Sequence, residues 1–292
     1  MILPPSLSPG SVVRVVAPSS PFEPRLIWRG MGWLAERYEV RFDHGIFASR
    51  GFLAGDDERR RQELQAALNE PDVAAIVCAR GGYGLSRYVH MLDLEPMVAH
   101  PRWLVGFSDV TALHVELAKV DVASLHGCHV TAMGQGNAVL REQLVCALEN
   151  PCATRRFDAL EVVSGGRTSG PLYGGNLTVL HACAAAGRLS PPRGCVLLLE
   201  DVTELPYRID RVLTTLLVGG HLDGVAAVVL GAFTGCGPGR DGVRVEEVIA
   251  ERLVSLGVPI VTGLPVGHGR DNEPVVLGAP TTVDGASVTL FG

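Results

Sequence analysis

Arg102-Trp103-Leu104-Val105-Gly106-Phe107-Ser108-Asp109-Val110-Thr111-Ala112-Leu113-His114 is the stretch whose reading decides the fold. Trp103 to Val105 reads as a short buried strand, Gly106 as a tight turn, and Ser108 as the start of a helix. A small polar residue at such a bend is displayed at the carboxyl end of a sheet, beside helix-start N–H groups that have no partner of their own. The run is Gly-Phe-Ser-Asp and lacks the Gly-x-Ser-x-Gly signature. Two readings fit: a displayed nucleophile, and an ordinary helix cap, for which Ser and Asp are favoured in any protein. Taken alone, the stretch favours the cap.

Working outward, the same alternation recurs. Val12 to Val16, Val73 to Cys78 and Trp103 to Val105 are apolar runs of inner parallel strands. Helices are expected over 26–37, 56–69, 85–92 and from 108, and a further strand end over 123–127. Strands alternating with helices predict a parallel sheet with crossover helices. After Asn150 the character changes. The polar, turn-rich run 151–170 is expected to connect an N-terminal α/β domain, 1–150, to a smaller C-terminal domain, 171–292. There, helices over 176–186, 209–218 and 245–256 alternate with strands over 195–199, 225–233 and 259–262. Short β segments at 275–277 and 287–290 suggest a bent or barrel-like sheet.

Composition narrows the class. Of 292 residues, 47% are hydrophobic and 19% charged, which suits a well-buried α/β protein. A net charge of −6 argues against a nucleic-acid partner or an anionic membrane surface. No apolar run reaches the ~20 residues of a membrane span, and the N-terminus has no secretory pattern. The seven cysteines are scattered singly without C-x-x-C spacing, as free thiols in a reducing compartment would be. A cytoplasmic protein is expected. The glycine loop Arg80 to Gly84 lacks the Gly-x-Gly-x-x-Gly spacing and is not in the first βα unit, Gly-Lys-Ser/Thr and His-Glu-x-x-His are missing, and neither a metal nor a cofactor is expected.

Three further sites can carry chemistry. Arg80-Gly81-Gly82-Tyr83-Gly84 follows a strand, and reads either as a tight turn or as a nest of N–H groups for an anion. Glu200 ends the apolar strand Leu197-Leu198-Leu199, where a half-buried carboxylate needs a partner. His268 lies in the glycine-rich run Gly263 to Gly269, outside any apolar periodic element. A strand-end Ser, a strand-end Glu and a loop His are the parts of a Ser-His-Glu triad.

Six stretches in order carry a resemblance: Val16-Ala17-Pro18-Ser19-Ser20, Arg80 to Gly84, Gly106-Phe107-Ser108-Asp109-Val110-Thr111, Tyr173-Gly174-Gly175-Asn176-Leu177, Leu199-Glu200-Asp201 continuing through Tyr207 to Arg211, and Gly267-His268-Gly269. The chain resembles the LD-carboxypeptidases of serine peptidase family S66, which also holds the microcin C immunity hydrolases. The resemblance implies an N-terminal parallel-sheet domain, Rossmann-like or class I glutamine amidotransferase-like, and a C-terminal β-rich, barrel-like domain. It implies Ser108 as nucleophile, a Glu200–His268 relay, an oxyanion hole from the N–H groups of Asp109 and Gly82, and Asn176 lining the substrate site. Arg80 is expected to grip a substrate carboxylate or to hold its own loop through backbone carbonyls. The implied reaction releases C-terminal D-alanine from a cytoplasmic murein tetrapeptide, by an enzyme that is commonly a homodimer. The alternatives are a hydrolase of a peptide–nucleotide antibiotic, disfavoured because Phe157 is the only aromatic in 151–170, and a non-catalytic muropeptide-binding protein.

Overall fold

The computed structural model describes residues 1–240 and 242–291. The chain divides into two units, Met1–Pro151 with Glu273–Val276, and Cys152–Asn272 with Leu277–Gly292.

The first unit is built on a six-stranded sheet ordered β12-β5-β4-β3-β1-β2. In chain order its elements are β1 (Val12–Val16), α1 (Pro24–Ala35), β2 (Glu39–Phe42), α2 (Asp57–Asn69), β3 (Val73–Cys78), α3 (Glu95–Ala99), β4 (Trp103–Gly106), α4 (Thr111–Lys119), β5 (Ser124–His126), α5 (Val130–Gly134) and α6 (Ala138–Glu149). β2, β1, β3, β4 and β5 pair in parallel, so their carboxyl ends share one edge of the sheet. One core layer packs Val13, Val15, Val77 and Val105 against Ile27, Met31 and Leu34 of α1 and Val130 and Met133 of α5. α1 and α5 meet through glycines. A Cβ at Gly30 would lie 2.1 Å from the Val130 carbonyl oxygen, and one at Gly134 2.0 Å from that of Leu26. Any side chain at either position would push the helices apart.

The second unit carries an eight-stranded curled sheet, ordered β6-β14-β13-β8-β9-β10-β11-β7. Its elements are β6 (Arg155–Phe157), β7 (Glu161–Ser164), β8 (Arg167–Asn176), α7 (Leu177–Ala185), β9 (Val196–Val202), α8 (Pro206–Val218), β10 (Ala227–Thr234), α9 (Val245–Leu253), β11 (Ile260–Thr262), β13 (Pro280–Asp284) and β14 (Ser287–Leu290). β8 is the hinge of the sheet. Its first half pairs antiparallel with β13 and its second half parallel with β9. Gly174, at φ +126°, lets β8 cross β9 so closely that a Cβ there would sit 2.1 Å from the Leu198 carbonyl oxygen. Leu197, Leu198 and Leu199 are buried to 1% or less, as an inner parallel strand requires.

Three expectations change. The run 151–170 is no bare connection: β6, β7 and the start of β8 occupy it. These strands are short and mostly half-exposed or exposed, so they lack the apolar runs that mark inner strands. The helix expected over 85–92 is two separate 3-10 turns, Leu85–Arg87 and Val89–Met91. The segment at 275–277 is β12 (Val275–Leu277), and it lies beside β5 in the sheet of the first unit.

Candidate active site

In the first unit, the decisive stretch folds as β4, a bend at Phe107 and a 3-10 turn over Ser108–Val110 that leads into α4. Ser108 has φ +62°. A serine in the left-handed region is held there against its own preference, at a cost of roughly 1–2 kcal/mol. The bend is fixed from below and from the side. His114 is buried one turn into α4, with Nε2 2.9 Å from the Gly106 carbonyl and Nδ1 2.7 Å from the Ser124 hydroxyl. A carbonyl only accepts, so Nε2 carries the proton and Nδ1 accepts from Ser124. Burial pushes the His114 pKa down to about 4, so the ring is neutral. His129 stacks on Phe107 at 4.3 Å, with Nε2 3.0 Å from the Phe107 carbonyl.

The glycine loop packs directly on this bend. A Cβ at Gly81 would lie 2.9 Å from Ser108 Cβ and 3.0 Å from His129 Cε1. Gly82 has φ +103°, and a Cβ there would meet the Ser20 hydroxyl at 2.4 Å. The Ser20 N–H donates to the Gly81 carbonyl at 3.2 Å, and the Tyr83 N–H donates to Ser20 Oγ at 3.1 Å. Among the described residues, the N–H groups of Gly82 and Asp109 donate to no acceptor. Arg80 is exposed and donates to the Pro21 carbonyl at 2.6 Å, which is the loop-holding alternative of its two expected roles.

In the second unit, β9 brings Glu200 to full burial at its carboxyl end. A register shift in β10 between Leu230 and Phe233 makes room beside it, and Gly231 lies there without a side chain. A Cβ on Gly231 would be 3.2 Å from Glu200 Cβ and 2.5 Å from the Val266 carbonyl. Gly267, at φ +106°, lets the 264–269 loop lie against the carboxylate, where a Cβ would touch Glu200 Oε2 at 2.6 Å. The result is a two-point grip: Glu200 Oε2 accepts from His268 Nδ1 at 2.7 Å and from the His268 backbone N–H at 3.2 Å. The carboxylate therefore fixes the imidazole with its proton on Nδ1 and its lone pair on Nε2. Asn272 Oδ1 accepts from the Gly267 N–H at 2.9 Å and holds the loop from behind.

Asn176, expected to line the substrate site, is 4% exposed and turned inward. Its Oδ1 caps α7 through the Val179 N–H at 3.1 Å, and its Nδ2 donates to Asp201 at 3.1 Å. Asp201 also accepts from the Thr178 N–H and hydroxyl, which ties the start of α7 to the residue after Glu200. Sequence reading missed two charged residues on the inner face of α2. Arg60 is fully buried and Glu63 nearly so, in line with Leu64, Ala67 and Leu68. The signal was their i, i+3, i+4, i+7, i+8 spacing on the apolar stripe. Burial pushes the Cys128 and Cys195 thiols up to about 12. No group of three His, Cys, Asp or Glu among the described residues has metal-binding geometry. No helix of the described residues is long and apolar enough to cross a membrane.

The first unit displays a strained serine and the second an acid-held histidine, and the chain's family is one of serine-type peptidases. The chain belongs to the LD-carboxypeptidase family, whose N-terminal domain model matches residues 13–127 and whose C-terminal domain model matches 169–283. It is 37% identical to a putative carboxypeptidase of Synechocystis sp. over 97% of this chain and 95% of that one. It is 34% identical to the murein tetrapeptide carboxypeptidase of Pseudomonas aeruginosa over 80% of each. The microcin C7 self-immunity protein, solved with aspartyl sulfamoyl adenosine, shares the fold at a TM-score of 0.91, with 19% identity, covering 100% of this chain and 99% of that one.

Proposed function

We propose that the protein hydrolyses the amide joining an L-configured centre to C-terminal D-alanine in murein tetrapeptides, in cytoplasmic peptidoglycan recycling, with Ser108, His268 and Glu200 as its triad. The observation that carries the reading is the 2.7 Å bond from His268 Nδ1 to Glu200, which leaves the Nε2 lone pair as the base. Ser108 Oγ attacks the carbonyl carbon as His268 Nε2 takes its proton. The oxyanion is held by the N–H groups of Asp109 and Gly82, which have no acceptor among the described residues. Collapse expels D-alanine, whose amine takes the proton back from His268, and an acyl-serine ester remains. Water, deprotonated by His268, hydrolyses that ester. Glu200 stabilises the imidazolium in both steps, and Asn176 keeps the end of β9 in place through Asp201. Arg80 serves the loop through its bond to the Pro21 carbonyl.

The test is release of D-alanine from murein tetrapeptide, followed by mass spectrometry. Wild type releases it, Ser108→Ala does not, and Glu200→Gln lowers kcat by about 10²–10⁴ by removing the charge opposite the imidazolium. Undiminished release by Ser108→Ala would sink the reading. Turnover of a peptidyl nucleotide, but not of tetrapeptide, in a parallel arm would select the antibiotic-hydrolase reading.

A further inference from the structure

The side chain of Asp109 has a destination that helix capping does not explain. It makes no cap bond to α4. It is 3% exposed and points across to the neighbouring loop, where Oδ2 accepts the Leu85 N–H at 2.9 Å. Three loops leave the carboxyl ends of the adjacent parallel strands β1, β3 and β4; this carboxyl joins the last two, and Ser20 joins the first to the second.

The bonds define the geometry of the two unpaired N–H groups. Ser20 holds the glycine loop at Gly81 and Tyr83. Asp109 holds its far end at Leu85, and its own backbone N–H follows Ser108 directly in the chain. Gly82 lies between these anchors. The loop cannot slide along β4 without breaking a buried bond, and a buried donor left without an acceptor costs roughly 1–3 kcal/mol. The surroundings add stiffness. Arg60 donates to the Pro18 carbonyl at 3.0 Å and lies over the Tyr88 ring, and the Tyr88 hydroxyl donates to the same carbonyl at 2.8 Å. Burying a carboxyl at this depth is unfavourable, and burial raises the Asp109 pKa. An apolar residue would fill the space at lower cost but could not accept the Leu85 N–H.

We propose that the Asp109 carboxyl is a positioning residue for catalysis, setting the spacing between the Gly82 and Asp109 N–H groups by tying the glycine loop to the nucleophile's bend. The inference rests on the reading of Ser108 as nucleophile given above. Its effect is confined to the transition state. The substrate's ground-state carbonyl needs no tight oxyanion geometry, whereas the tetrahedral oxygen does.

The experiment compares Asp109→Leu and Asp109→Asn with wild type on murein tetrapeptide, and measures binding of a tetrapeptide boronate that forms a tetrahedral adduct on Ser108. Asn keeps an acceptor for Leu85 and Leu does not. Asp109→Leu is expected to lose about a hundredfold in kcat with KM within about threefold, the scale of an ångström-level misplacement. Boronate affinity falls in parallel, and Asp109→Asn recovers at least about tenfold of the loss. Asp109→Ala, which removes the same acceptor with a smaller side chain, is expected to show the same loss of about a hundredfold in kcat at similar KM, and it serves if Asp109→Leu does not fold. Wild-type kcat in folded Asp109→Leu, equal loss in the Leu and Asn variants, or boronate affinity unchanged while kcat falls would each overturn the inference. Wild-type kcat in Asp109→Ala would overturn it where Asp109→Leu is unfolded. Failure of wild type itself to release D-alanine would instead defeat the reading of the function.

Discussion

Ser108 sits where its backbone conformation and its chemistry pull in opposite directions, and the conflict is measurable. At φ +62° an L-residue pays a steric penalty of roughly 1–2 kcal/mol that glycine does not. Glycine in turn loses more unfolded-state freedom, about 0.5–1 kcal/mol relative to alanine. Ser108 is only half-buried, so deleting its Cβ leaves little cavity. The comparison is between Ser108→Ala and Ser108→Gly, both without the hydroxyl. The expected result is that Ser108→Gly is the more stable by about 0.5–1 kcal/mol, or roughly 1–4 °C in the melting of a unit of this size. Denaturant unfolding and calorimetry of the two purified variants give the difference, and neither variant hydrolyses peptide. At an ordinary position glycine would be the less stable by a similar amount, so the sign alone decides. A less stable Ser108→Gly would show that the bend carries no strain and refute the argument that conformation is spent on displaying the hydroxyl.

Two further outcomes follow from the packing. His114 is neutral in the fold with its pKa pushed down to about 4, against about 6.5 in the unfolded chain, so the stability it carries is complete above pH 6.5 and is lost as pH falls towards 4. The loss approaches about 3 kcal/mol, and His114→Gln should flatten that part of a stability-versus-pH curve; an unchanged slope would contradict the assignment. Gly134→Ala would drive a methyl to 2.0 Å from the Leu26 carbonyl oxygen, so it should destabilise the first unit by at least about 2 kcal/mol in denaturant unfolding, despite alanine's better helix propensity.

The sequence exposes the parts whose causes are local. β3 and β4 are continuous apolar runs, β1 is broken only by Arg14 and β9 opens on four apolar residues before Glu200, and inner parallel strands are the structures that need such runs. Ser108, Glu200 and His268 stand out because each polar residue interrupts an apolar or glycine-rich context. What stayed hidden depends on partners far along the chain. β6 and β7 pair with β14 and β11, more than ninety residues away, and their own residues are too polar to advertise a strand. Arg60 and Glu63 look like solvated helix charges until the carbonyls and N–H groups at Ala17 and Pro18 are seen to receive them. Asp109 read as a helix cap because capping is local, whereas its actual partner, Leu85, sits on another loop.

The return of residues 273–276 to the first unit bears on how the protein is made. β5 ends at His126 and its neighbour β12 begins at Val275. At roughly 5–20 residues per second, a ribosome needs on the order of 7–30 s to cross that interval. For that time the nascent sheet has an uncapped margin at β5, with Leu125 and its polar backbone groups awaiting a neighbour. The second unit is therefore almost wholly synthesised before the first can be finished. A chain stopped short of Val275 would leave the ribosome with all the residues of the serine's unit except the strand that closes its sheet.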